Sequence, residues 1–151
     1  AAFFKANKKN YTWNDPHFKG YIIQAKDMAS AKAAKQIVKS ANPDSVMNYL
    51  NQRINVDSVT YVKVQSGLWT KGQNAMVDSY AFKDKTAEFT PSDEYPIIIA
   101  VGKVITAPQV YTDVRGQVTN DYQDYLEKQW VATLREKYPV VINQEVLSIL
   151  Q

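Results

Sequence analysis

Residues 18–25 read FKGYIIQA, and the apolar run after Gly20 is short and rich in strand-forming residues. Such a run predicts a buried strand from Phe18 to Ala25. Working outward, Ser30 is placed to cap a helix in which Ala33, Ala34, Ile37, Val38 and Ala41 fall on one stripe, and Asn42-Pro43 ends it. The same pair can open the next helix. Asn42 is then the N-cap, Pro43 the first helical residue, and Val46, Met47, Tyr49 and Leu50 the inner face. In TYVKV, residues 60–64, Thr60, Val62 and Val64 alternate with Tyr61 and Lys63, the pattern of a half-buried strand. The most apolar run, YPIIIAVGKVI, follows at 95–105. Proline can start a strand but not sit inside a central one, so this strand is placed from Ile97 to Ile105. Strands separated by short helices point to an α+β fold.

The chain changes character after this strand. Val114, Val118, Tyr122, Tyr125, Leu126, Trp130, Leu134 and Tyr138 recur every three or four residues, which predicts one long amphipathic helix. Thr112 is its expected cap, Asp113 suits the positive end of the helix dipole, and Pro139 marks the stop. Gly116 weakens the first turns by about 1 kcal/mol relative to Ala. Beyond the stop, VVIN predicts a short strand and EVLSIL a final helical turn or two.

With 151 residues, 45% of them hydrophobic, the chain can bury one real core. No apolar run approaches the roughly 20 residues that span a bilayer. The opening AAFFKANKK has neither Met nor a signal-type apolar stretch, which suggests a processed or excised chain. The absence of cysteine removes disulfides, thiolate metal sites and a cysteine nucleophile. A net charge of +3 from 18 basic and 15 acidic residues, with no basic run longer than KK, argues against a nucleic-acid partner.

The sequence carries few signatures of chemistry. Residues 66–82, SGLWTKGQNAMVDSYAF, place Gly67 and Gly72 at the spacing of a phosphate-binding loop, but Gln73 stands where that loop needs Lys. His17 has no partner histidine, so it reads as a polar residue entering a strand, and no metal or cofactor is expected. No order of Ser, His and Asp fits a nucleophile elbow. The carboxylates Asp57, Asp78, Asp84, Glu88, Asp93 and Glu94 are scattered and read as caps or solvated charges.

A resemblance adds to this reading. Gly67, Leu68 with Trp69, Lys71 with Gly72 and Gln73, and Ala81 with Phe82 resemble the motif of a parvulin domain, the prolyl isomerase module of PpiC and SurA-type envelope proteins. The stretches PHFKG, GLWTKGQN, YTDVRG and DYQDYLEKQWVATLREKYPVVIN are similar to the C-terminal region of large parvulin-like isomerases of Bacteroidetes envelopes. The resemblance implies an antiparallel sheet holding Ile22, Val62 or Val64, and Ile98. It divides the chain into an N-terminal helical or linker segment (1–17), a degenerate parvulin-like domain (18–107) and a SurA-type C-terminal helix and short strand (108–151). It also implies a periplasmic or cell-envelope location.

Site residues follow from the same alignment. Counting back from Gly67 puts Asp57 at the catalytic Cys or Asp position. Tyr21 and Ile97 or Ile98 stand where the family has histidines, and Asn74 and Val77 where it has Met and Phe, although a gap of two restores Met76. The implied peptide-binding residues are Tyr21, Trp69, Met76, Val77, Phe82 and Ile98. Isomerisation only requires favouring the twisted amide over the planar one, across a barrier near 18–20 kcal/mol, so loss of both histidines does not abolish it on principle. Three classes stay open: a noncatalytic domain that binds unfolded or extended polypeptide, proline-containing segments included; an active prolyl isomerase; and a scaffold without peptide affinity. Upstream domains of the same polypeptide, or a second copy paired through the C-terminal helix, are the other expected partners. Either Phe3, Phe4 and Tyr11 cover part of the stripe of Tyr122, Leu126, Trp130 and Leu134, or the helix pairs with its copy in a second chain.

Overall fold

A computed structural model describes residues 1–139. They form two compact units, one of Tyr11–Pro108 and one that joins Ala1–Asn10 to the chain from Gln109 onward. In chain order the elements are α1 (Ala2–Ala6), β1 (His17–Ala25), α2 (Met28–Ser40), α3 (Val46–Arg53), β2 (Val62–Thr70), α4 (Ala75–Tyr80), β3 (Ile97–Ile105) and α5 (Arg115–Lys137). The expected strand VVIN and the helical turn EVLSIL lie outside the described residues. No described helix is long and apolar enough to cross a membrane.

The larger unit is α+β, built on an antiparallel sheet in the order β2–β1–β3. Each strand residue pairs across the centre: Ile23 faces Val64 and Ile99, and Ile22 faces Gln65 and Ala100. Because side chains alternate along a strand, these neighbouring residues feed opposite layers. Ile23, Ala25 and Val62 pack with Ala31, Ala34, Ile37 and Val38 of α2, with Val46 and Leu50 of α3, and with Ile54. Phe18, Ile22 and Ile98 pack with Met76 and Val77 of α4 on the other side. Burying a large aliphatic side chain contributes about 1.5–3 kcal/mol, and Ile22, Ile23, Leu50, Val62 and Val77 are fully enclosed.

Strand β3 has the predicted bounds, and β1 begins one residue early at His17. Other details differ. The cap of α2 is Asp27, whose carboxylate accepts from the Ser30 N–H and from the Ser30 hydroxyl, both at 2.8 Å. Ser30 is thus a partner of the cap, not the cap itself, and the buried stripe uses Ala31 while Ala33 is exposed. Asn42 does cap, but it opens a 3-10 turn over Pro43–Ser45. Starting after that turn, α3 aligns only Val46 and Leu50 with the core, which leaves Met47 and Tyr49 exposed. The strand opened by TYVKV runs on through SGLWT to Thr70.

In the smaller unit, a 3-10 turn over Tyr111–Val114 leads into α5. The Asp113 carboxylate, and not Thr112, accepts at this end, from the Gln109 N–H at 2.9 Å and the Val110 N–H at 3.2 Å. Phe3 of α1 packs its ring 5.3 Å from Tyr122 and 5.5 Å from Tyr125, and Phe4 is buried. Tyr11 is buried too, but as part of the larger unit. Within α5 itself only Val118 is buried, and the expected stripe is open at Tyr122, Leu126 and Trp130.

Candidate functional site

Five of the six expected peptide-binding residues meet on one face of the sheet. Met76, Val77 and Ile98 are buried there with Phe18 and Ile22, and Trp69 and Phe82 pack against them. The sixth, Tyr21, belongs to the opposite layer, against α2 and α3. One residue along a strand is enough to change faces.

Glycine shapes this face. Gly20 pairs with Gly67 on one side and Gly102 on the other, so a row without side chains crosses all three strands. Aromatic rings fill it. A Cβ at Gly67 would lie 2.5 Å from the Trp69 ring, and one at Gly20 would lie 2.3 Å from the Val101 carbonyl and 3.0 Å from the Phe18 ring. Phe18 in turn stacks 6.1 Å from Trp69 and meets Phe82 edge-on at 6.5 Å. The face where the resemblance puts a ligand is thus occupied by the domain's own rings.

The Lys-Gly-Gln motif has structural work in the turn between β2 and α4. Gly72 has φ +89, a left-handed conformation that favours glycine. Its N–H donates to both oxygens of the buried Asp78, at 3.1 and 3.0 Å. The Gln73 side-chain oxygen accepts from the Thr70 N–H at 2.9 Å. Lys71 reaches Asp84 at 2.6 Å. That ammonium, followed by the Thr86 hydroxyl and N–H, holds the Asp84 carboxyl well below the usual carboxylate range, and Asp84 raises the pKa of Lys71. Asn74 completes the turn by accepting from the N–H groups of Met76 and Val77 at 3.0 and 3.3 Å. Sequence reading picked out this motif but not its partners Asp78 and Asp84, which carry no signature beyond their charge.

Asp57 lies elsewhere. It is exposed in a tight turn between α3 and β2, with φ 54 followed by φ 62 at Ser58, closed by Val59 N–H to Val56 C=O at 2.9 Å. Ile54, just before the turn, packs in the α2 and α3 layer. Asp57 therefore stands apart from the Trp69 face. His17 places its Nδ1 2.9 Å from the Asp15 carbonyl and stacks on Trp13 with ring centroids 3.9 Å apart. Among the described residues no three His, Asp or Glu side chains gather as a metal site would require.

A residue that the sequence did not flag governs the outer edge of β2. The Asn55 Oδ1 accepts from the N–H groups of Tyr61 and Val62 at 2.9 and 3.0 Å, and its Nδ2 donates to the Val62 carbonyl at 3.0 Å. Its side-chain amide thereby pairs with Val62 as a neighbouring strand would. No family model, characterised protein or solved structure matches this chain.

Proposed function

We propose that the chain is a noncatalytic, parvulin-like module of an envelope folding factor that binds or positions extended segments of unfolded polypeptides. The observation that carries the noncatalytic part is the separation of Asp57 from the apolar face. A carboxylate stabilises a twisted amide only if it is oriented beside it and shielded from water. Exposed in the turn that follows Ile54 of the other layer, Asp57 is screened by solvent and has no positioned partner among the described residues. The envelope setting and the folding-factor role rest on the resemblance of GLWTKGQN and of the DVRG to LREKYPV stretch.

The test is the isomerisation rate of a proline-containing model peptide with the chain and with Asp57→Ala. Both are expected to leave the uncatalysed rate unchanged. An acceleration that vanishes in Asp57→Ala would overturn the noncatalytic reading. The scaffold reading draws on a different observation, that Phe18, Ile22 and Val77 fill the apolar face from within. It requires that no polypeptide binds at all.

A further inference from the structure

We infer that the polypeptide site is the outer edge of β2, where an extended segment adds as a fourth strand. This inference rests on the polypeptide-binding reading above and gives it a place and a geometry. In an antiparallel pair, alternate residues turn their N–H and C=O groups toward the partner strand and away from it. The parity on β2 is fixed at both ends: Val62 turns both groups to Asn55, and Thr70 turns its N–H to Gln73. Val64, Ser66 and Leu68 lie between them on the same outward parity, and their backbone groups have no partner among the described residues. The edge is thus three rungs long and bounded by two side-chain amides that stand in for a missing strand.

An open cleft of about 520 Å³ adjoins the Val62 end of this edge, where Met47 and Leu50 of α3, Val59 and Val64 lie among polar residues such as Asn51 and Thr60. Its one charged side chain among the described residues, Lys63, is engaged 4.2 Å over the Tyr95 ring. Backbone rungs next to a cleft where apolar side chains lie among neutral polar ones suit a strand that alternates apolar and small polar residues. The occupant is a short extended segment and not a second copy of β2. Five residues at about 3.4 Å each make a strip of about 17 Å. Even at about 10 Å wide, such a strip offers about 170 Å², far short of the roughly 800 Å² per partner that a stable dimer buries.

The experiment is amide hydrogen exchange by NMR on the full chain, with and without a seven-residue, proline-free peptide of alternating valine and serine. Val64, Ser66 and Leu68 should exchange fast alone and slowly with the peptide, while Val62 and Thr70, already bonded, change little. Ser66→Pro deletes one outward donor without touching the ladder to β1 and should weaken binding by about tenfold or more. The same peptide with alternate amides N-methylated, which leaves the protein unaltered, should fail to protect these residues. Protection at Ile98, Ala100 and Gly102 of β3, or changes centred on Trp69 and Phe82, would overturn the edge site and leave polypeptide binding standing. No change anywhere would overturn both. Protection that grows with protein concentration alone would replace the segment by a second copy and overturn the inference.

Discussion

Replacing Asn55 by alanine removes three hydrogen bonds at once, to the N–H groups of Tyr61 and Val62 and to the Val62 carbonyl, all between 2.9 and 3.0 Å. A neutral hydrogen bond contributes about 0.5–1.5 kcal/mol net, so three would give about 1.5–4.5 kcal/mol. Asn55 is only partly buried, and water can reach some of the released groups. The lower part of that range, about 2 kcal/mol, is therefore expected. For a unit of about 100 residues this lowers the midpoint of thermal unfolding by about 8–16 °C. Asn55→Asp keeps both acceptor bonds but loses the donor and sets a negative charge against the Val62 carbonyl, so it should fall between wild type and alanine. Circular dichroism melts of the three proteins give the ordering. Amide exchange supplies a local check, since Tyr61 and Val62 should speed up in Asn55→Ala while Ser66 keeps its rate. An alanine variant within about 0.5 kcal/mol of wild type would refute the idea that this amide acts as a substitute strand.

Three further substitutions probe other parts of the structure. Gly20→Ala should cost about 1–3 kcal/mol or more, since its Cβ would sit 2.3 Å from the Val101 carbonyl, whereas Gly116→Ala meets nothing within 4 Å and should gain up to about 1 kcal/mol of helix propensity in melting experiments. The folded-state pKa of Asp84 is depressed, so its contribution is complete above the ordinary value of 3.8 and is lost as pH falls through the folded value; Asp84→Asn should flatten the acid limb of stability below about pH 4.

Much of the fold was legible because periodicity and proline carry it. Pro96 and a long apolar run set the start and extent of β3, and alternation in TYVKV found the opening of β2. The misplacements have local causes. Asp27 and Ser30 are both good caps and bond to each other, so composition could not say which one ends the chain of donors. Gly67 drew notice for its loop-like spacing from Gly72, yet it lies in mid-strand, where Trp69 covers the space it leaves. Trp69, Met76, Val77, Phe82 and Ile98 meet because they follow the alternation of β2 and β3 and the short helix α4. Tyr21 lies in the other layer, one residue of register away, and Asp57 was placed by counting along a loop whose path the sequence does not fix. Asn55 was invisible, because a side chain bonding seven residues ahead leaves no periodic trace.

Holding extended polypeptide is the central property proposed for this chain. The most direct measurement is the fluorescence anisotropy of a labelled, permanently unfolded polypeptide titrated with the chain at constant salt. A saturable rise that Ser66→Pro weakens and Asp57→Ala leaves unchanged is the predicted result. A flat titration at every concentration of the wild-type chain would contradict it.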